Sequence, residues 1–361
     1  MELLLDNIIY SLQHGGGASV VWSEHINRLL KDKRFTTRFI EYEGATSNVF
    51  RKNLIIPQDS LDIESSALFT IKRYLDIKSH RIEPYIFHSS HYRIDKCPYA
   101  RNVTTVHDFV YEKYITGIRR KIHSAQKWNS IRKADLVICI SESTKRDLLE
   151  YLPDCDENKI VVIHHGVDKA YHPIKSTHDY KLNIPFDTGE YVLYIGNRLT
   201  EYKNFNLVVE VCAEMNLPLV MVGGEPSSDE ENTRLHLKLK NSGFVHFRGL
   251  SNQELNELYN RCMVFIYPSL YEGFGIPVIE AQRAGAPVIC VHSSSIPEIV
   301  GDTDLCIKGD VNSSVVCDCI RALDNQNFRN KEIQKGLDNS KRFSWDITYQ
   351  KTTDAYLSLF N

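Results

Sequence analysis

The chain alternates short apolar runs with longer polar segments of helical period. Residues 7–12, 35–41, 85–88, 103–106, 136–140 and 160–163 have the length and the β-branched or aromatic content of buried strands. Helical stretches separate many of them; residues 18–30, for example, place Val21, Ile26, Leu29 and Leu30 on one face. Residues 44–60 follow neither period and predict a loop. From Tyr191 the pattern restarts, with strands expected at 191–195, 219–222, 245–247, 264–267, 288–291 and 305–307. Alternation of this kind is the pattern of parallel βαβ units. Two doubly wound α/β domains are therefore expected, over residues 1–170 and 171–342, with the boundary near His165-Gly-Val-Asp168 and a polar, proline-containing stretch at 172–187. Residues 343–361 carry a terminal helix with Ile347, Tyr356, Leu357 and Leu359 as apolar positions. Open parallel sheets bind ligands outside the carboxyl ends of their strands, so chemistry is expected in a cleft between two facing lobes.

The length of 361 residues fits two domains better than one core. A net charge of −3 argues against a dedicated nucleic-acid binder, because no excess of cations is present to displace counterions. Nine cysteines without a C-x-x-C pair, only Cys317 and Cys319 lying close together, fit a reducing compartment. Glu2 and Asp6 flank the first apolar run and no Lys or Arg precedes Arg28, unlike the cationic start of a signal peptide. No apolar run approaches the roughly 18 residues that span a bilayer. A cytoplasmic protein is expected, with attachment to a membrane surface left open.

The stretch 267–285, Y-P-S-L-Y-E-G-F-G-I-P-V-I-E-A-Q-R-A-G, carries the most chemistry. A strand, a Gly273-Phe274-Gly275 turn and a helix start meet there, with Pro277 suited to the first helical turn and Gly285 to its end. Glycines let main-chain N–H groups approach an anion, and the helix N-terminus adds partial positive charge. Glu272 in the loop and Glu280 about one turn into the helix can accept hydrogen bonds from paired sugar or ribose hydroxyls. Taken singly, Glu280 could merely complement the helix dipole and Glu272 be a solvated loop residue. Arg198 and Lys203 follow the first strand of the second half, where a planar guanidinium and a mobile ammonium suit a diphosphate leaving group. In the first half, Gly15, Gly16 and Gly17 form either a close-approach loop or a simple tight turn, and His107 ends a strand.

These motifs resemble the signature of the retaining nucleotide-sugar glycosyltransferases of family 4, which have the GT-B fold, over nearly the whole chain and most clearly from Tyr191 to Val300. The resemblance implies transfer of a hexose from a UDP- or GDP-linked donor to a hydroxyl of a saccharide, lipid-linked, acceptor in bacterial surface polysaccharide synthesis, such as O-antigen or capsule. It assigns the transferred sugar to Glu272, the donor ribose to Glu280, the diphosphate to Arg198 and Lys203, and the donor sugar and acceptor side to His107. It makes Gly15, Gly16 and Gly17 the first lobe's ligand loop, and it implies that the terminal helix packs back on the first domain. A nucleotide-sugar epimerase of the same architecture and a noncatalytic nucleotide-sugar binder are the alternatives.

Neither Asp154-Cys-Asp156 nor Asp302-Thr-Asp304 follows a clear apolar strand, so both read as loop residues and neither a metal nor another cofactor is expected. Asp108 and Ser141 read as caps of the segments that follow them. Residues 111–133 hold Lys113, Arg119, Arg120, Lys121, Lys127, Arg132 and Lys133 against Glu112 alone, with Ile115, Ile118, Ile122 and Trp128 between them. That segment is either a solvated helix face or a docking element for anionic lipid.

Overall fold

The computed structural model describes residues 1–176, 180–240 and 242–360; within the polar stretch at 172–187, residues 177–179 lie outside the described residues. The chain divides into two compact units, Met1–His165 with Trp345–Asn361, and Gly166–Ser344.

The first unit holds seven strands: β1 Glu2–Asp6, β2 Thr36–Tyr42, β3 Leu61–Glu64, β4 Tyr85–Ser89, β5 Ala100–Val106, β6 Leu136–Cys139 and β7 Ile160–Val162. They are ordered β3-β2-β1-β4-β5-β6-β7, and every neighbouring pair is parallel. The second unit holds β8 Val192–Ile195, β9 Leu219–Val222, β10 Phe244–Phe247, β11 Val264–Tyr267, β12 Val288–Val291 and β13 Cys306–Ile307, ordered β10-β9-β8-β11-β12-β13 and again parallel throughout. Both sheets are doubly wound, as the apolar runs predict. Strand order reverses beside β1 and β4 in one and beside β8 and β11 in the other, and at such points loops diverge to leave room for a ligand.

Burial explains why these runs became strands. Leu219–Val222, Val264–Tyr267 and Val288–Val291 are buried along their whole length, and helices cover them through Phe205, Val208, Leu235 and Ile320. In the first unit Leu3, Leu5, Phe39, Ile86 and Val103 pack with Trp22, Ile26 and Leu29 of the helix Gly17–Leu29.

One expectation fails, and one strand lies where none was expected. Residues 7–12 are not a strand: the first strand lies earlier, at Leu3–Leu5 and their neighbours, and Ile9–Leu12 forms a short helix. Asn7 ends the strand because its side chain is used crosswise, donating to Glu41 at 2.7 Å and accepting from the Trp22 indole at 2.7 Å. Residues 44–60 contain three 3₁₀ turns, and the edge strand β3 after them has no apolar run to announce it, since Ile63 is exposed between Asp62 and Glu64.

The terminal helix Trp345–Ser358 belongs to the first unit. Its Tyr356 is fully buried, and the hydroxyl lies 2.5 Å from His88 Nδ1 and 2.9 Å from His25 Nε2. Arg28 pairs with Asp346 at 2.8 Å, while Ile347, read as apolar packing, is largely exposed.

Candidate active site

The second unit brings Lys203 and Glu272 together at the β8–β11 switch point. Lys203 ends the 3₁₀ turn Glu201–Lys203 that follows β8, and Glu272 lies in the loop after β11. Lys203 Nζ lies 2.5 Å from Glu272 Oε1, and the Tyr267 hydroxyl donates to the same oxygen at 2.7 Å. The two loops are tied by a main-chain bond from Leu270 N to Tyr202 O of 2.7 Å. Ser294 Oγ accepts from Glu272 N at 2.7 Å, and Ser295 Oγ donates to the carbonyls of Glu272 and Phe274 at 2.9 and 2.8 Å. These bonds fix the Gly273-Phe274-Gly275 turn, in which Phe274 is buried against Phe343.

Gly275 caps the helix Ile276–Ala284 with φ of 104°, a left-handed conformation that favours glycine, and Pro277 occupies its first turn. Gly285 ends it at φ of 85°. Glu280 lies within this helix. The Tyr259 hydroxyl donates to its Oε2 at 3.1 Å, and burial pushes its carboxyl up to about 7 although the hydroxyls of Tyr259 and Tyr171 pull the other way. Glu280 is thus an acceptor only partly ionised at neutral pH.

Arg198 does not share the partner of Lys203. Its side chain is 1% exposed and pairs with Glu231 at 2.9 Å. Nη1 donates to Gly223 O at 2.8 Å and lies 2.8 Å from His246 Nε2; Nη2 donates to Glu225 O at 2.9 Å and to Glu231 Oε2 at 3.2 Å. Every nitrogen of the guanidinium is therefore engaged by the wall beyond β9. Arg198 and its hydrogen bond hold the Glu231 carboxyl below its ordinary range.

Several residues of this site were invisible in the sequence reading. Gly223 and Gly224, with φ of 88° and 72°, end β9 and bring the backbone against Gly196 and Arg198. A Val-Gly-Gly run at a strand end is the signal that could have found them. Tyr267 reads only as the end of an apolar run, and nothing in the sequence singles out Tyr259 or Tyr171, yet the hydroxyls of all three serve the two glutamates. The buried Tyr194 hydroxyl has no hydrogen-bond partner among the described residues, and Glu272 and Arg198 both bear on its charge.

In the first unit, Gly16 and Gly17 start the helix Gly17–Leu29. A Cβ on Gly15 would stand 3.0 Å from Val49 Cγ2 and one on Gly16 2.7 Å from Gln13 Oε1, whereas one on Gly17 would meet nothing, so the first two of the three mark close approaches within the protein. His107 directly follows β5, with its ring 6.0 Å from that of His165, and burial holds its pKa down. Asp108 caps the following turn, accepting from Val110 N at 3.0 Å, and Ser141 accepts from Thr144 N at 3.0 Å. Asp154 pairs with Arg132, Asp156 caps a 3₁₀ turn, and Asp304 pairs with Lys335.

The segment 111–133 falls into the helices Val110–Tyr114 and Gly117–Lys133 and is less basic outside than its sequence suggests. Lys127 is fully buried against Glu112 at 2.7 Å, and Lys113 pairs with Asp147 at 2.9 Å. Arg119, Arg120 and Lys121 remain exposed beside exposed Ile118 and Ile122. No helix among the described residues is long and apolar enough to cross a membrane.

Two family models match this chain, Glycosyltransferase Family 4 over residues 15–171 and Glycosyl transferases group 1 over residues 178–338. The chain belongs to family 4 of the glycosyltransferases. It is 26% identical to O-antigen chain mannosyltransferase B of Escherichia coli, over 75% of this chain and 74% of that protein. It is 25% identical to the serotype-specific mannosyltransferase WbdA of Escherichia coli over 75% of this chain, but spans only 36% of WbdA. Sucrose-phosphate synthase of Thermosynechococcus elongatus superposes with a TM-score of 0.73 at 16% identity, covering 100% of this chain and 99% of that one. HepE of Anabaena, solved with UDP-glucose, superposes with a TM-score of 0.69 at 16% identity, covering 99% of this chain and 100% of that one. The fold of this glycosyltransferase is GT-B.

Proposed function

We propose that this enzyme is a retaining glycosyltransferase that moves a hexose from a nucleoside diphosphate sugar to a hydroxyl of a lipid-linked saccharide during assembly of a bacterial surface polysaccharide. The observation that carries the reading is the Lys203–Glu272 pair at the β8–β11 switch point, one helix start away from Glu280. The names of the two mannosyltransferase relatives favour mannose as the hexose.

In this reading the donor diphosphate lies over Lys203 and the start of the helix Ile276–Ala284, and its ribose hydroxyls bond Glu280. Lys203 and the helix N-terminus supply positive charge as the leaving diphosphate becomes more negative, so the reaction is read as metal-independent. Arg198 joins by exchanging one Glu231 contact for a phosphate oxygen. Glu272, held by Tyr267 and Lys203, receives hydroxyls of the transferred sugar. The acceptor hydroxyl attacks from the face that the diphosphate leaves and gives its proton to a leaving-group oxygen. Gly15, Gly16, Gly17 and His107 serve the first domain's side of the reaction, His107 as a neutral hydrogen-bonding group at physiological pH. The exposed Arg119, Arg120, Lys121, Ile118 and Ile122 rest on the anionic inner face of the cytoplasmic membrane, where lipid-linked acceptors are presented.

The test is product analysis. Purified enzyme is incubated with GDP-mannose or UDP-hexoses and a synthetic lipid-linked saccharide, with and without EDTA, and the anomeric configuration of the new bond is read by NMR. An α-linked product from an α-linked donor, formed equally with EDTA, supports the reading; inversion, or dependence on a metal, removes those parts of it.

A further inference from the structure

Four buried side-chain atoms that have no hydrogen-bond partner among the described residues occur in one region of the first unit: Arg73 Nε, His91 Nε2, His123 Nδ1 and Gln126 Oε1. Gln126, only 9% exposed, donates through Nε2 to Arg73 O at 2.8 Å. The rings of His91 and His123 lie 5.9 Å apart, with Tyr92 against both. His91 follows β4, at the β1–β4 switch point where the fold leaves room for ligands. One orphaned buried polar atom costs about 1–3 kcal/mol, so four in one place call for an occupant.

We propose that Arg73, His91, His123 and Gln126 form a binding site for a phosphate or diphosphate group. Arg73 brings a permanent cation, and the two imidazoles can each present an N–H. The nearest carboxylate to His123 is already committed: Glu112 takes Lys127 at 2.7 Å and Ser124 at 2.7 Å and lies 4.0 Å from His123 Nδ1. Bound waters could satisfy the same atoms; an anion would in addition pair with the half-buried Arg73 guanidinium.

The charges facing the imidazoles favour an anion. Burial, then His123, Arg73, His107 and Arg93, holds His91 at about 3. Burial, then Lys127 and Arg73, holds His123 at about 4, against the opposite pull of Glu112 and Asp108. A phosphate among them would favour both protonated rings and gain charge-assisted hydrogen bonds. Exposed aromatic rings border the cluster: Tyr111 stacks on His123 at 3.8 Å and Tyr74 lies 5.1 Å from Arg73.

The phosphate comes either from the linkage of a lipid-linked acceptor or from a free phosphate compound. Only the first source rests on the function proposed above; anion binding can be measured without donor or transfer. The experiment is a titration of the full-length protein, ¹⁵N-labelled at histidine, at pH 7 with inorganic pyrophosphate, geranyl diphosphate and geraniol, read by the ring nitrogens. The expected result is that His91 and His123 move towards the imidazolium pattern with both diphosphates and not with geraniol, while His25 and His88 stay in place. Arg73→Gln should raise the half-saturating concentration at least tenfold. Geranyl diphosphate binding at least tenfold tighter than pyrophosphate assigns the site to a lipid linkage, and equal binding assigns it to free phosphate compounds. Unmoved His91 and His123 signals in the wild-type protein at millimolar ligand, or equal saturation by a folded Arg73→Gln variant, overturn the proposal.

Discussion

Lys203 and Glu272 are 69 residues apart in the chain and 2.5 Å apart at their charged ends. The pair joins the loops after β8 and β11, the two strands between which the second sheet changes direction. In the proposed function this places a cation beside the carboxylate that holds the sugar and within reach of the donor diphosphate.

Removing that cation should act on turnover. Lys203→Ala leaves Glu272 to Tyr267 alone and takes away charge from the leaving group, so kcat should fall about 100-fold or more while the acceptor KM changes little. Initial rates at saturating donor measure both. An unchanged kcat would remove Lys203 from the mechanism.

Arg198 should act on stability as well. Its guanidinium and Glu231 are almost fully buried, and Arg198→Ala would strand Glu231 beside His246. Breaking such a pair costs about 3–5 kcal/mol, to be read as a lowered urea midpoint. If the midpoint stays within error of wild type, the wall contacts described above contribute nothing.

Glu280 gives a pH signature. Its carboxyl is raised from 4.5 to about 7, so the folded protein keeps a proton that the unfolded chain releases between those values. Stability from this group is present below about 4.5 and is lost as pH rises to about 7. Glu280→Gln should abolish that decline, so the variant's melting temperature gains on wild type from pH 5 to pH 8. Nucleotide affinity should run the opposite way, rising more steeply from pH 6 to 8 in wild type, where the carboxylate forms, than in Glu280→Gln, where only the nucleotide's own phosphate titrates. Parallel profiles for the two proteins would contradict both statements.

The sequence showed the strands best where they are buried on both faces. Runs 219–222, 264–267 and 288–291 match β9, β11 and β12 residue for residue, because a short run apolar at every position is satisfied only where both faces of the strand are buried. β1 was misplaced because Asn7 to Leu12 looks as apolar as Leu3 to Leu5; only the crosswise bonds of Asn7 to Glu41 and Trp22 decide where the strand stops. In the site, Lys203, Glu272 and Gly275 were legible from local spacing. The direction taken by Arg198 was not, since it depends on Glu231 and His246, 33 and 48 residues further on. Nor were the tyrosines: Tyr267 ends a strand and Tyr259 lies in a buried helix, and either reads as packing until its hydroxyl is seen to reach Glu272 or Glu280.

Gly275→Ala tests the turn. The new Cβ would stand 2.8 Å from Ile296 Cδ1, which a side-chain rotation relieves, but φ of 104° remains unfavourable for alanine. A loss of about 1–3 kcal/mol in stability is expected, together with weaker nucleotide binding as the Ile276 helix start shifts. Wild-type values of both would show that the turn tolerates a side chain.

Membrane docking makes a charge-specific prediction. Arg119→Glu, Arg120→Glu and Lys121→Glu together reverse the exposed cations beside Ile118 and Ile122 while leaving the buried Lys127–Glu112 pair intact. Co-sedimentation with vesicles containing anionic lipid should fall at least tenfold, and wild type should not sediment with zwitterionic vesicles. Sedimentation indifferent to lipid charge and to these substitutions would rule the docking surface out.

The most direct test of the donor site is calorimetric titration of the full-length protein with GDP and UDP, comparing wild type with the Lys203→Ala/Glu280→Ala double variant. Wild type should bind at least one of the two nucleotides, and the double variant should bind it at least about tenfold more weakly, given roughly 1.5–3 kcal/mol for each charged hydrogen-bonding group removed. Equal affinity in the two proteins, or no binding of either nucleotide by wild type, would contradict a donor site built on Lys203, Glu272 and Glu280.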